Sequence, residues 1–204
     1  PQCNTTKGLS KRNYKKTVVD MMRGIDIRRC IYNTRYDMDI LPGNQFLASE
    51  EIANQVITDQ MSLILKDYDF IIIDCPPSLN MLTVNAMTTA DTVLVPIQCE
   101  YYALEGLSQL IHTINLVQER LNPELQIEGV VFTMYDVRTN LSNQVVETVK
   151  ENLDTKIYNT MIPRNIRLAE APSYGIPINM YDSKSAGAES YRNLAKEIIA
   201  RKDI

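Results

Sequence analysis

One histidine and four cysteines in 204 residues leave little material for metal or nucleophile chemistry. Cys3, Cys30, Cys75 and Cys99 are scattered, with no Cys-x-x-Cys pair and no histidine cluster beside them. That pattern argues against a metal centre or a disulfide framework and fits a reducing compartment. His112 falls in an amphipathic helical pattern and reads as a surface or packing residue. No apolar run approaches the roughly 18–20 residues that span a bilayer. No secretory leader pattern is present either. The seven glycines never gather into a Gly-rich phosphate loop, and Gly-Lys-Thr does not occur. Repeats and low-complexity tracts are also missing, which favours one continuous domain over residues 1–204.

What is present is ordinary in amount and uneven in place. Apolar residues make up 45% and charged residues 23%, a balance that supports a real core. Residues 1–36 carry nine Lys/Arg (Lys7, Lys11, Arg12, Lys15, Lys16, Arg23, Arg28, Arg29, Arg35) against Asp20 and Asp26, so +7. The whole chain is −4, which leaves −11 for the remainder. A basic segment on an acidic body suits nucleic acid or an anionic membrane, and more often is a solvated face.

The chain is organised around residues 69–78, Asp-Phe-Ile-Ile-Ile-Asp-Cys-Pro-Pro-Ser. Phe70, Ile71, Ile72 and Ile73 form a short run without alternation, the pattern of a strand buried on both faces in a parallel sheet. Asp74 stands at its carboxyl end, where open α/β sheets place ligands. Pro76 and Pro77 force the chain out of the sheet. Such an acid can hold Mg²⁺ beside phosphates, or it can cap the next helix; this stretch alone leaves both readings open.

Around it, residues 14–23 read as a short helix stopped by Gly24. Residues 27–32 read as a turn, and 38–41 as a strand closed by Pro42-Gly43. A helix is expected from Ser49 to Lys66, with Glu50 and Glu51 in its first turn. Further helices are expected over 79–89, 102–121, 141–153 and 186–201, and strands over 92–97, 129–134 and 156–162. Buried strands alternating with helices predict an α/β fold, a mostly parallel sheet with helices on both faces.

Several segments together resemble the ParA/Soj family of deviant Walker A ATPases. They are PQCNTT at 1–6, DYDFIIIDCPPSL at 67–79, PIQCEYYALEGL at 96–107, TMYDVRTNLSNQVV at 133–146, IPRNIRLAEAPSYGIPI at 162–178 and YDSKSAGAESYRNLAKEI at 181–198. The resemblance implies a P-loop NTPase fold that uses ATP and Mg²⁺ in chromosome or plasmid partitioning. It implies Asp74 as the Walker B position for Mg²⁺. It places Pro163, Arg164 and Asn165 at the purine pocket, and Arg138 and Arg167 at positions that contact non-specific double-stranded DNA. It further implies an ATP-dependent homodimer in the cytoplasm, associated with the nucleoid, without stable membrane association. A ParB-type centromere-binding protein would stimulate hydrolysis.

The sequence departs from the family in two ways. Cys3 stands where relatives usually carry Gly. The family's opening strand, Lys-rich Walker A loop, helix and second strand are not among these residues, nor is the acid linked to hydrolysis, which precedes Pro-Gln. The expectation is therefore an N-terminally truncated domain, a fragment of a longer product, with no catalytic residue of its own and inactive alone. The resemblance places Glu100, Tyr101, Tyr102 and Glu105 near dimer and switch contacts, and Glu105 can instead simply favour a helix start. Three rivals are a MinD-like ATPase cycling on membranes, an electron-transfer relative using Cys75 and Cys99, and a non-enzymatic remnant that binds DNA or partners without nucleotide. The MinD-like reading needs a basic amphipathic C-terminal helix. The stripe Ala188, Tyr191, Leu194, Ala195, Ile198 and Ile199 instead suits a helix docked on the sheet.

Overall fold

Two parallel strands, β3 (Thr92–Gln98) and β4 (Gln126–Thr133), pair from Thr92 opposite Gln126 to Gln98 opposite Thr133, with one register shift at Glu128, between the Val93–Ile127 and Leu94–Gly129 pairs. A parallel pair needs a long crossover, and helix α5 (Ala103–Arg120) supplies it. The computed structural model describes residues 2–49, 56–101, 103–153 and 156–202. It divides into two compact units, one of Pro1–Ala90 with Pro172–Ile176, the other of Asp91–Ala171 with Pro177–Ile204.

The second unit is built on β3 and β4. One face of β4 sends Val130 and Phe132 into a core with Val95, Ile97 and Cys99, with Leu107 of α5, and with Val145, Val146 and Val149 of α6 (Asn140–Asn152). The other face packs Val131 with Tyr158, Ile162 and Leu194 of α9 (Ala186–Lys202). The expectation of a strand buried on both faces therefore holds for residues 130–132. It fails for β3, whose burial alternates: Val95 and Ile97 point into the core while Leu94 is exposed. The expected strand over 156–162 lies along β4 but makes only isolated bridges, Val130 to Ile157 and Tyr135 to Pro163. Its ladder is interrupted because Glu197 of α9 takes the N–H groups of Asn159 and Thr160 at 2.8 and 3.1 Å. Helices α7 (Ile166–Tyr174) and α8 (Ile178–Tyr181) precede α9.

The first unit holds α1 (Asn4–Leu9), α2 (Val18–Met22), a two-residue antiparallel ribbon of β1 (Tyr32–Asn33) and β2 (Asp39–Ile40), then α3 (Val56–Ser62) and α4 (Met81–Thr89). A reciprocal capping box between Thr17 and Asp20 starts α2 at Val18, inside the expected 14–23 range. Met21, Ile27, Cys30, Ile57 and Ile64 form its core. Ser49, the expected start of the helix to Lys66, instead closes a 3-10 turn over Gln45–Ser49, and α3 ends at Ser62. Glu50 and Glu51, and Tyr102 at the head of the expected 102–121 helix, lie outside the described residues.

The largest correction concerns residues 70–73. They form no strand, and Ile72 is 89% exposed with Phe70 and Ile71 also open to solvent. A strand exists only as one side of a hydrogen-bonded ladder. Among the described residues no strand pairs with this run, so its apolar composition alone does not bury it. Among the described residues, no helix is long and apolar enough to cross a membrane.

Candidate functional site

The carboxyl ends of β3 and β4 gather most of the residues singled out in the second unit. Beyond β3, the N–H of Cys99 still bonds the Thr133 carbonyl at 3.1 Å, and Glu100 follows. Beyond β4, Met134 takes a φ of 53°, a left-handed turn. It redirects the chain so that Tyr135 pairs with the 162–164 segment: its N–H reaches the Ile162 carbonyl at 3.1 Å, and the Arg164 N–H reaches its carbonyl at 3.0 Å. Pro163, Arg164 and Asn165 are thereby fixed at the sheet's carboxyl edge. Arg164 forms an open ion pair with Glu100 at 3.6 Å.

The loop after Tyr135 is closed by Asp136. Its carboxylate accepts from the Arg138 backbone N–H at 3.1 Å and from the guanidinium through Nε at 2.9 Å and Nη2 at 2.7 Å. The bonds from Arg138 hold the Asp136 carboxyl down at about 2, and the Arg164 charge adds to this. The Arg138 side chain stays 84% exposed. Thr139 then caps α6 by accepting from the Ser142 N–H. Asn165 serves α7 in a similar way, its Oδ1 accepting from the Arg167 N–H at 2.9 Å. The Arg167 guanidinium bonds Glu170 at 2.9 Å and lies 3.5 Å from Asp182. Each arginine thus carries its own carboxylate. Asp136, Glu170 and Asp182 are ion-pair partners of these arginines that residue pattern alone missed; only the Asp-x-Arg spacing of Asp136 and Arg138 hints at the clamp.

In the first unit, Asp74 is exposed and accepts a hydrogen bond from the Thr5 hydroxyl of α1. The cap reading of Asp74 is overturned. Asn80 caps α4 instead, accepting from the N–H groups of Leu82 and Thr83 at 3.1 and 3.4 Å. Two oxygen groups, a carboxylate and a hydroxyl, meet at Asp74. No group of three or more His, Cys, Asp or Glu stands ready to hold a metal among the described residues. That donor set fits Mg²⁺, which keeps several waters and takes one or two protein oxygens.

A family model for an AAA domain matches residues 1–127. The chain is 48% identical to the sporulation initiation inhibitor protein Soj of Bacillus subtilis, over 98% of this chain and 83% of that protein. It is 44% identical to the chromosome partitioning protein ParA of Myxococcus xanthus, over 98% and 75%. The chain belongs to the ParA/Soj family. Among solved structures, the ParA/Soj chain resembles cobyrinic acid a,c-diamide synthase from Mycobacterium smegmatis with bound ATP analog and magnesium. The TM-score is 0.82 at 29% identity, over 97% of this chain and 78% of that one. The cell division ATPase MinD of Pyrococcus furiosus matches with a TM-score of 0.80 at 24% identity, over 97% and 81%, which speaks for the fold alone. The fold is the α/β architecture of P-loop NTPases, a parallel sheet with helices.

Proposed function

We propose that this ParA/Soj chain serves an ATP- and Mg²⁺-dependent DNA-partitioning ATPase in the cytoplasm, nucleoid-associated, that dimerises with ATP and binds DNA without sequence preference. A ParB-type centromere-binding partner stimulates hydrolysis and release. The observation that carries the reading is the identity to Soj and ParA over nearly the whole chain. Asp74, with the Thr5 hydroxyl on its carboxylate, supplies oxygens for Mg²⁺ and its water shell. The metal, when bound, neutralises phosphate charge. Pro163, Arg164 and Asn165 hold the base edge with backbone groups of a segment anchored by the bonds of Tyr135 to Ile162 and Arg164. Arg138 and Arg167 meet DNA phosphates; an arginine fork makes two charge-assisted bonds to one phosphate, and the carboxylates now on these arginines are what DNA must displace.

Residues 1–204 hold no Gly-Lys-Thr loop, so hydrolysis by these residues alone is not expected. The test is DNA binding by the intact protein, followed by fluorescence anisotropy with ATP and Mg²⁺. Arg138→Ala and Arg167→Ala each lower the slope of log K against log salt by about 0.9, and Asp74→Ala removes the dependence on ATP. DNA retention indifferent to nucleotide would favour the non-enzymatic remnant. Nucleotide-dependent flotation with liposomes, without DNA binding, would favour membrane cycling.

A further inference from the structure

Arg138 and Arg167 both lie outside the most basic stretch of the sequence. That stretch, residues 1–36 at +7, builds much of the first unit. There the loop after α1, the end of β1 and the last residues of α7 enclose a cleft of about 390 Å³. Its lining includes Lys11, Arg12 and Arg35, with the polar side chains Ser10, Asn33 and Thr34. The Asn33 amide donates to Asp39 at 2.6 Å and the Thr34 hydroxyl to the Met38 carbonyl at 2.7 Å. No carboxylate lines it. Among the described residues no acid stands within ion-pair distance of these three cations, unlike Arg138 and Arg167, which each carry one.

The cleft is held in shape mainly by backbone and aromatic contacts, and of its charges Arg35 takes part, its Nε donating to the Tyr36 hydroxyl at 2.9 Å. Gly175, at φ 66°, lets the α7 terminus pass against the loop. A Cβ there would sit 3.2 Å from the Lys11 side chain and 3.3 Å from the Lys7 carbonyl. The Tyr36 hydroxyl donates to the Gly175 carbonyl at 3.4 Å. Tyr14 packs on Tyr32 at 4.8 Å between ring centres, and the Tyr32 hydroxyl takes the Lys16 N–H at 3.0 Å. The Arg35 guanidinium rests over the Tyr36 ring at 5.1 Å.

Small-molecule sites are lined mainly by apolar and aromatic side chains with few polar groups. Here Leu9 is the one aliphatic residue, and most of the others donate hydrogen bonds. Arginine, lysine, serine, threonine, asparagine and tyrosine are the side chains that proteins place on the phosphates of DNA. We propose that this cleft is a second contact site for the phosphodiester backbone of duplex DNA, with Lys11, Arg12 and Arg35 as its charged contacts. The inference rests on the DNA-binding reading above and adds a site that Arg138 and Arg167 do not form.

The experiment measures anisotropy of a labelled duplex of arbitrary sequence with the intact protein, ATP and Mg²⁺, between about 50 and 200 mM salt. Three variants are compared: Lys11→Gln/Arg12→Gln/Arg35→Gln, a charge-matched Arg29→Gln/Lys66→Gln/Arg120→Gln, and Arg138→Ala/Arg167→Ala. The first set is expected to lower the salt slope by about 2–3, with an unchanged thermal melt, since these side chains are exposed. The matched control leaves the slope near wild type, and the Arg138/Arg167 variant retains binding that the cleft variant then abolishes. An unchanged slope in the cleft variant overturns the inference while the DNA reading stands. So does an equal fall in the matched control, or a loss confined to free nucleotide binding. Failure of the wild-type protein to bind DNA at all overturns the reading and the inference together.

Discussion

Cys3 holds φ 59° and ψ 28°, the left-handed region, immediately before α1. An L-residue there crowds its Cβ against the backbone, at a cost of about 1–2 kcal/mol that glycine escapes. Glycine suits this position for a local reason: the chain must turn sharply to start a short helix, and the Lys7 N–H bonds the Cys3 carbonyl across that turn at 3.0 Å. Glycine also loses more backbone freedom on folding, which offsets part of the gain. Cys3→Gly is expected to stabilise the protein by about 0.5–1 kcal/mol, seen as a rise of about 1–4 °C in the thermal midpoint. A fall in the midpoint would show that the thiol's packing outweighs the turn. Gly129 obeys the same rule with greater force. Its φ is 157°, and a Cβ would lie 2.8 Å from the Tyr158 ring, so the register shift in the parallel pair admits only glycine.

At the level of elements, the extended segment after α6 is held to the second unit by side chains of α9. Glu197 bonds the N–H groups of Asn159 and Thr160, and Arg201 bridges from Glu197 to the Ile157 carbonyl at 3.1 Å while stacking on Tyr158 at 3.9 Å. Burial pushes the Glu197 carboxyl up, but the two N–H groups, the Thr160 hydroxyl and the Arg201 charge outweigh it and hold the group below its usual value. Its stabilisation is thus complete above pH 4.5 and is lost as pH falls through the lowered value. Glu197→Ala strands two backbone donors and is expected to cost about 2–3 kcal/mol, while Glu197→Gln keeps an acceptor and costs less. Urea unfolding of both variants checks this, and equal losses would place the effect in packing. Here the sequence could not be read, because the ladder at Asn159 and Thr160 is completed by a residue 38 positions away. Helices α5, α6 and α9 were legible, since their apolar spacing is local. The 70–73 run was misread because burial of a strand depends on its neighbours. Helix α7 gave no helical pattern, with Pro172 inside it. Of the site, Pro163, Arg164 and Asn165 became meaningful through family resemblance, whereas the Asp136 clamp on Arg138 needed the coordinates.

For the molecule as a whole, alkaline pH is a condition that reaches both units, and one hydrogen-bonded tyrosine in each carries part of the effect. In the first unit, the bond from Tyr68 to Asp39 at 2.7 Å, then burial, raise its hydroxyl to about 12. In the second, burial of Tyr158 and the Glu128 carboxylate beside it raise that hydroxyl to about 12 as well. A tyrosine in the unfolded chain ionises near 10. Between these values the unfolded chain loses protons that the folded one keeps, so the stabilisation is fully present below pH 10 and is lost as pH rises toward 12. Denaturant unfolding measured across this window, with tyrosinate absorbance followed alongside, should show stability falling from about pH 10 upward. Tyr68→Phe and Tyr158→Phe should each remove part of that fall, at a cost near neutrality of about 1 kcal/mol for the lost hydrogen bond. If the two changes act additively on one transition, the units unfold as a single cooperative body. If each flattens the pH dependence of a separate transition, the division seen in the contacts is also a division in stability.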